Sequence, residues 1–113
     1  MMKLFSLKPL TLLVLSLCFA LQAFAAPDYW VDVRTPQEFQ QSHVMDANLI
    51  PYEEIKEKIA TVTKDKHAEI YLYCASGHRA AIALEALTSM GYTKVKNIGG
   101  ISDALKLEQS TKP

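Results

Sequence analysis

Cysteine is scarce in this sequence, with two in 113 residues. Cys18 lies in an apolar N-terminal stretch, and Cys74 stands alone in everything that follows. A scaffold stapled by disulfides is therefore excluded. Histidine is equally sparse. His43, His67 and His78 lack metal-ligand spacing relative to Cys74, so a zinc site is not expected. An excess of one charge is missing too. Twelve basic residues balance twelve acidic ones, with no basic patch or long charge run. Nucleic acid and anionic membranes are thus not expected as partners. No internal repeat, low-complexity segment or interdomain linker appears, and the length suits one small domain.

Long hydrophobic runs are also absent, with one exception at the start. "MMKLFSLKPLTLLVLSLCFALQAFA" carries Lys3 and Lys8, then an apolar run from Leu10 to Leu21, then Ala23-Phe24-Ala25. This is the pattern of a secretory signal peptide with an A-x-A cleavage site. The run is short for a membrane span, which needs roughly 20 apolar residues. Leu17 before Cys18 argues against a lipoprotein signal, where a small residue is usual. Cleavage after Ala25 takes 25 residues and two of the twelve basic ones, leaving 88 residues, 26–113, with a formal charge of −2. It also leaves Cys74 as the only thiol in an oxidising compartment, where a lone thiol is either buried and inert or put to use. A domain of this size buries only about 60–65% of its unfolded surface and has little stability to spare.

Along the mature chain, strand and helix patterns alternate. "YWVDV" (29–33) is β-branched and aromatic and reads as a strand. Thr35, Pro36 and Glu38 form a capping box with proline at N1, predicting a short helix to about Ser42. "ANLI" reads as a short buried strand. Ile55, Ile59 and Val62 fall on one face of an amphipathic helix whose other positions are charged. "EIYLYC" is a strand running into Cys74, and a second helix begins near Arg79 and stops at Gly91. "KVKNI" is a strand, Gly99-Gly100 a turn, "ISDALKL" a last short helix, and "EQSTKP" a loose polar tail. The order predicts an α/β domain, a mostly parallel sheet flanked by helices on both faces.

The chemistry points to "YLYCASGHRAA". In an open parallel sheet, ligands bind beyond the carboxyl ends of strands, which is where Cys74 falls. The following helix presents N–H groups with no intrahelical partner, carrying partial positive charge. A short strand-to-helix loop can curl such donors into a nest for an anion. Gly77 permits the turn, Ala75 and Ser76 leave room, and Arg79 adds a fixed charge with bidentate donors. The same field lowers a thiol pKa. One loop would then both form the nucleophile and hold an anionic substrate. The alternative is a tight turn with an incidental surface arginine. His78 reads as a solvent-facing loop side chain that shapes access, or as a group that tunes charge beside Cys74. Asp32 and Arg34 share one side of the first strand near its carboxyl end. They either line the crevice or pair to order the loops.

Three ordered segments resemble the rhodanese family of sulfurtransferases. Cys74 to Arg79 looks like its six-residue active-site loop, with the nucleophile first. "VDVRTPQEFQQSHVMDANLIP" is similar to the family's early signature, and "MGYTKVKNIGG" to its later Gly-Gly segment. Departures are Ser42 and Asp46 where glycine is common, a shortened N-terminal part, and no tryptophan after Gly100. The resemblance covers nearly the whole mature chain and implies a single rhodanese-like domain. It implies a thiosulfate sulfurtransferase with a persulfide on Cys74. It also implies substrate binding by Ala75, Ser76, Gly77, His78 and Arg79, with no metal or organic cofactor. The donor would be thiosulfate and the acceptor cyanide or another thiophile. The short exported form implies a periplasmic location and no membrane attachment once the signal is removed; a monomer is expected, with the oligomeric state left open by the sequence. Two rivals remain. Cysteine phosphatases and arsenate reductases on a similar fold carry Cys-x5-Arg, one residue longer than the loop from Cys74 to Arg79. A non-enzymatic sulfur carrier or partner-binding module would keep the fold without turnover.

Overall fold

The computed structural model describes residues 25–112. The expected signal peptide, residues 1–25, lies outside the described residues apart from Ala25. β1 (Tyr29–Asp32) is followed by α1 (Pro36–Gln41) and β2 (Asn48–Leu49). A single 3-10 turn (Tyr52–Glu54) leads into α2 (Ile55–Val62). Then come β3 (Ile70–Cys74), α3 (His78–Ser89), β4 (Val95–Gly100) and α4 (Ile101–Thr111). The four strands form one parallel sheet in the order β2-β1-β3-β4.

The order puts β3 in the interior, with every residue buried. Side chains alternate between the two faces, as the strand period requires. Val31, Ile70, Leu72 and Cys74 face one way, against Ile55 and Ile59 of α2 and Ala80, Ala83 and Leu87 of α3. Trp30, Tyr71 and Tyr73 face the other way, with Val44 and Ala104 of α4. Trp30 meets both tyrosines edge-on, with ring centroids 5.3 and 6.0 Å away, the geometry aromatic quadrupoles favour. Helices thus cover both faces. The alanines of α3 let that helix sit close to β3, so its N-terminus reaches the loop after Cys74.

Two local expectations are corrected. Gly99 and Gly100 belong to β4 rather than to a turn, paired with Tyr73 and Cys74. The register slips there, since Leu72 pairs with Asn97 but Tyr73 with Gly99, leaving Ile98 as a bulge. The segment "EQST" is helical, since α4 continues to Thr111. Its anchor is distant in sequence: the Met45 N–H donates to the Glu108 carboxylate at 2.6 Å.

Candidate active site

β3 ends at Cys74 and α3 begins at His78, so three residues, Ala75, Ser76 and Gly77, make the turn. Gly77 takes φ +98, a left-handed conformation that costs a residue with a Cβ. A Cβ there would also come within 3.3 Å of Gly99 Cα. The turn folds back over the thiol. The Gly77 N–H donates to Cys74 Sγ at 2.9 Å. Cys74 itself is 1% exposed.

Burial alone would raise the thiol pKa, because a thiolate loses its hydration there. The amides of Ala80, Ser76, Gly77 and Arg79 oppose that and win, so the Cys74 pKa lies below its ordinary value. The amides at the start of α3 are free for this task because no preceding turn accepts from them.

β4 supports the loop from beneath. Gly100 is buried, and a Cβ on it would overlap the Ala75 carbonyl oxygen and sit 3.2 Å from the Ala75 carbonyl carbon. Asn97 ties the two together, its Nδ2 donating to the Gly77 carbonyl at 2.9 Å while its Oδ1 accepts from the Gly99 N–H at 2.9 Å. Sequence reasoning took the glycine pair as a turn, tied it to the family only by resemblance, and missed Asn97.

Arg79 has a partner that sequence reasoning also missed. Its Nη1 and Nη2 donate to the two carboxylate oxygens of Glu38 at 2.8 and 3.0 Å. Glu38 keeps its helix-capping role as well. Its Oε1 accepts from the Thr35 N–H and hydroxyl, and its own N–H donates to Thr35 Oγ1. The Arg79 hydrogen bonds pull the Glu38 carboxyl down to about 2. Arg79 is held protonated first by Glu38 and then by the charge of Cys74. The guanidinium thus bridges α1 and the thiol loop, and the capping signal in the sequence marks one of the two roles of Glu38.

Asp32 and Arg34 form a separate unit. Arg34 Nε and Nη2 donate to the Asp32 carboxylate at 2.9 and 2.7 Å, and Nη2 also reaches the Ser42 carbonyl at 2.6 Å. Both residues are buried, at 0% and 4% exposure. Arg34 lies 5.5 Å from the centroid of the Tyr73 ring, on the sheet face opposite Cys74. The pair fastens the end of β1 to the loop after α1. His78 is exposed at the first position of α3, and Ala75 and Ser76 are exposed beside it. Ala75, Ser76, Gly77, His78 and Arg79 therefore gather around Cys74, while Asp32 and Arg34 do not. His43 is also exposed, stacked on Phe39 with ring centroids 3.6 Å apart.

Comparison with known proteins gives the same picture. A family model described as a rhodanese-like domain matches residues 20–106. The chain is 48% identical over 92 residues to the thiosulfate sulfurtransferase PspE of Escherichia coli, covering 81% of this chain and 88% of that protein. It is 36% identical over 70 residues to a sulfurtransferase of Allochromatium vinosum, covering 62% of this chain and 64% of that protein. Among solved structures, a rhodanese with anions from E. coli matches with a TM-score of 0.65 and 47% identity, covering 66% of this chain and 88% of that one. A sheet with this topology, a thiol under a ring of amides, and likeness along most of the chain lead to one assignment: the protein belongs to the rhodanese-like family.

Proposed function

We propose that the protein is a thiosulfate sulfurtransferase working through a persulfide on Cys74. The observation that carries this reading is the buried Cys74 sulfur, met by the Gly77 N–H at 2.9 Å and held below its ordinary thiol pKa by surrounding amides. A thiolate formed this way needs no separate base. It attacks the outer sulfur of thiosulfate. The S–S bond of the donor breaks, its electron pair leaves with sulfite, and Cys74 keeps the sulfur as a persulfide. A thiophilic acceptor, cyanide or a thiolate, then takes the outer sulfur, and the electron pair of the persulfide bond returns to Cys74. Covalent relay of this kind gives ping-pong kinetics.

Backbone amides from Ala75 to Arg79 would stabilise the negative charge as it moves onto the outer sulfur. Ser76 and His78, exposed at the loop surface, would border the entry path. Relatives support the substrate: PspE is a thiosulfate sulfurtransferase, and the matching E. coli rhodanese structure holds anions. Four residues between Cys74 and Arg79 make a ring better sized for a sulfur atom than for the larger phosphate enclosed by Cys-x5-Arg loops. Removal of residues 1–25 would place the active chain in the periplasm.

Thiosulfate treatment followed by mass spectrometry tests the proposal. The mature chain should gain one sulfur and lose it on addition of cyanide, while the Cys74→Ser variant should gain none. Unmodified protein after treatment would leave a binding module as the better reading. Undiminished turnover by Cys74→Ser would refute the nucleophile.

A further inference from the structure

Glu38 occupies an unusual position for a carboxylate. It stands at an anion-binding loop and holds the side chain best suited to bind the anion. Both terminal nitrogens of Arg79 are engaged by it, at 2.8 and 3.0 Å. The two side chains are only 25% and 30% exposed, so the pair is partly shielded from solvent. Thr35 fixes the carboxylate from behind through its N–H and hydroxyl, at 3.2 and 3.1 Å. Glu38 therefore cannot swing away without undoing the start of α1.

From this geometry we infer that Glu38 is a positioning residue that sets the charge of the sulfur donor the site accepts, favouring monoanionic over dianionic donors. The inference rests on the sulfurtransferase reading above. Bidentate pairing takes one N–H from each terminal nitrogen of Arg79 and offsets its charge at short range, so an approaching anion is drawn mainly by the backbone amides. Amides attract through dipoles, which reward a second negative charge less than a free guanidinium would. A donor such as an alkanethiosulfonate, carrying one charge, would lose little by this arrangement. Thiosulfate, carrying two, would lose more.

Glu38→Gln separates the charge from the cap, because glutamine also serves at the third position of a capping box. Glu38→Asp keeps the charge. Amide chemical shifts of the loop can be followed while wild-type protein and both variants are titrated with sulfate and with methanesulfonate, in each case without turnover. Glu38→Gln should tighten sulfate binding by about three- to ten-fold, the worth of roughly one partly screened charge. It should tighten methanesulfonate binding by less than half as much, and Glu38→Asp should restore the wild-type ratio. In turnover, the same variant should lower KM for thiosulfate more than for methanethiosulfonate, with the change carried by KM rather than kcat. Equal shifts for both anions, or weaker binding of both, would overturn the inference and leave Glu38 a structural strut. The binding arm decides the role of Glu38 even if no sulfur is transferred, whereas a missing persulfide counts only against the sulfurtransferase reading.

Discussion

Adding one methyl group at Gly100 should damage the site more than the fold. The Cβ of Gly100→Ala would overlap the Ala75 carbonyl oxygen and lie 3.2 Å from its carbon and 3.6 Å from Ser76 Cα. Apolar atoms settle at about 3.5–4.0 Å, so the loop would have to retreat by about 1 Å. Gly100 cannot move instead, because it is paired with Cys74 in the sheet. Forcing an extra methyl into packed surroundings costs about 1–3 kcal/mol. The retreat also draws the Gly77 N–H from the sulfur, where it now stands at 2.9 Å. Misplacement by about 1 Å typically costs about 10²-fold in rate. Urea denaturation and thiosulfate:cyanide turnover, measured on the same preparations, give the two numbers.

Gly91→Ala supplies the contrast. Gly91 has a similar φ of +98, but nothing lies within 4 Å of its Cβ position. That variant should lose about 1 kcal/mol from backbone strain and keep its activity. If Gly100→Ala retained wild-type turnover, or if both variants lost activity in proportion to stability, the claim that β4 seats the thiol loop would be wrong.

Two further outcomes follow from the ion pairs. Asp32→Asn should cost about 3–5 kcal/mol by urea denaturation, because it leaves the buried Arg34 guanidinium without its counter-charge; a loss below about 1 kcal/mol would refute this. Glu38 has a folded pKa of about 2 against an ordinary 4.5, so its contribution is present above pH 4.5 and vanishes as pH falls from 4.5 towards 2. After allowance for solvent screening it is worth about 1–2 kcal/mol. Urea midpoints at about pH 6 and pH 3 should therefore fall further for wild type than for Glu38→Gln, and equal falls would contradict the pairing.

What the sequence disclosed was mostly local. A strand ending in Cys74, a helix starting within a few residues, and the Thr35-Glu38 cap are each set by neighbours in the chain, and each is found in place. Even there the boundary moved, since β1 stops at Asp32 rather than Val33. The α/β architecture was legible for a related reason. Alternating strand and helix patterns leave few ways to cover a parallel sheet. The Gly-Gly turn was misread because glycine weakens strands in isolation. The requirement for Gly100 comes from the carbonyl of Ala75, on another strand's loop, which no local pattern records. The tail was misread likewise, because the contact that anchors α4 joins Glu108 to the backbone of Met45.

The two arginines show how far such reasoning reaches. Arg34 and Asp32 are two residues apart, so their pairing could be offered from spacing alone, as one of two options. Strand alternation puts Asp32 on the face of Trp30 and Tyr73, away from Cys74. Arg79 and Glu38 are 41 residues apart, and nothing in either neighbourhood names the other. A free Arg79 would make the loop a strong trap for any dianion, phosphate and sulfate included, and a trap of that kind competes with the sulfur donor. Pairing with Glu38 leaves recognition to amides that reward the position of the transferring sulfur more than total charge. The glutamate in the first turn of α1 thereby governs chemistry at the start of α3, and mutating the cap without regard to charge would confound the two effects.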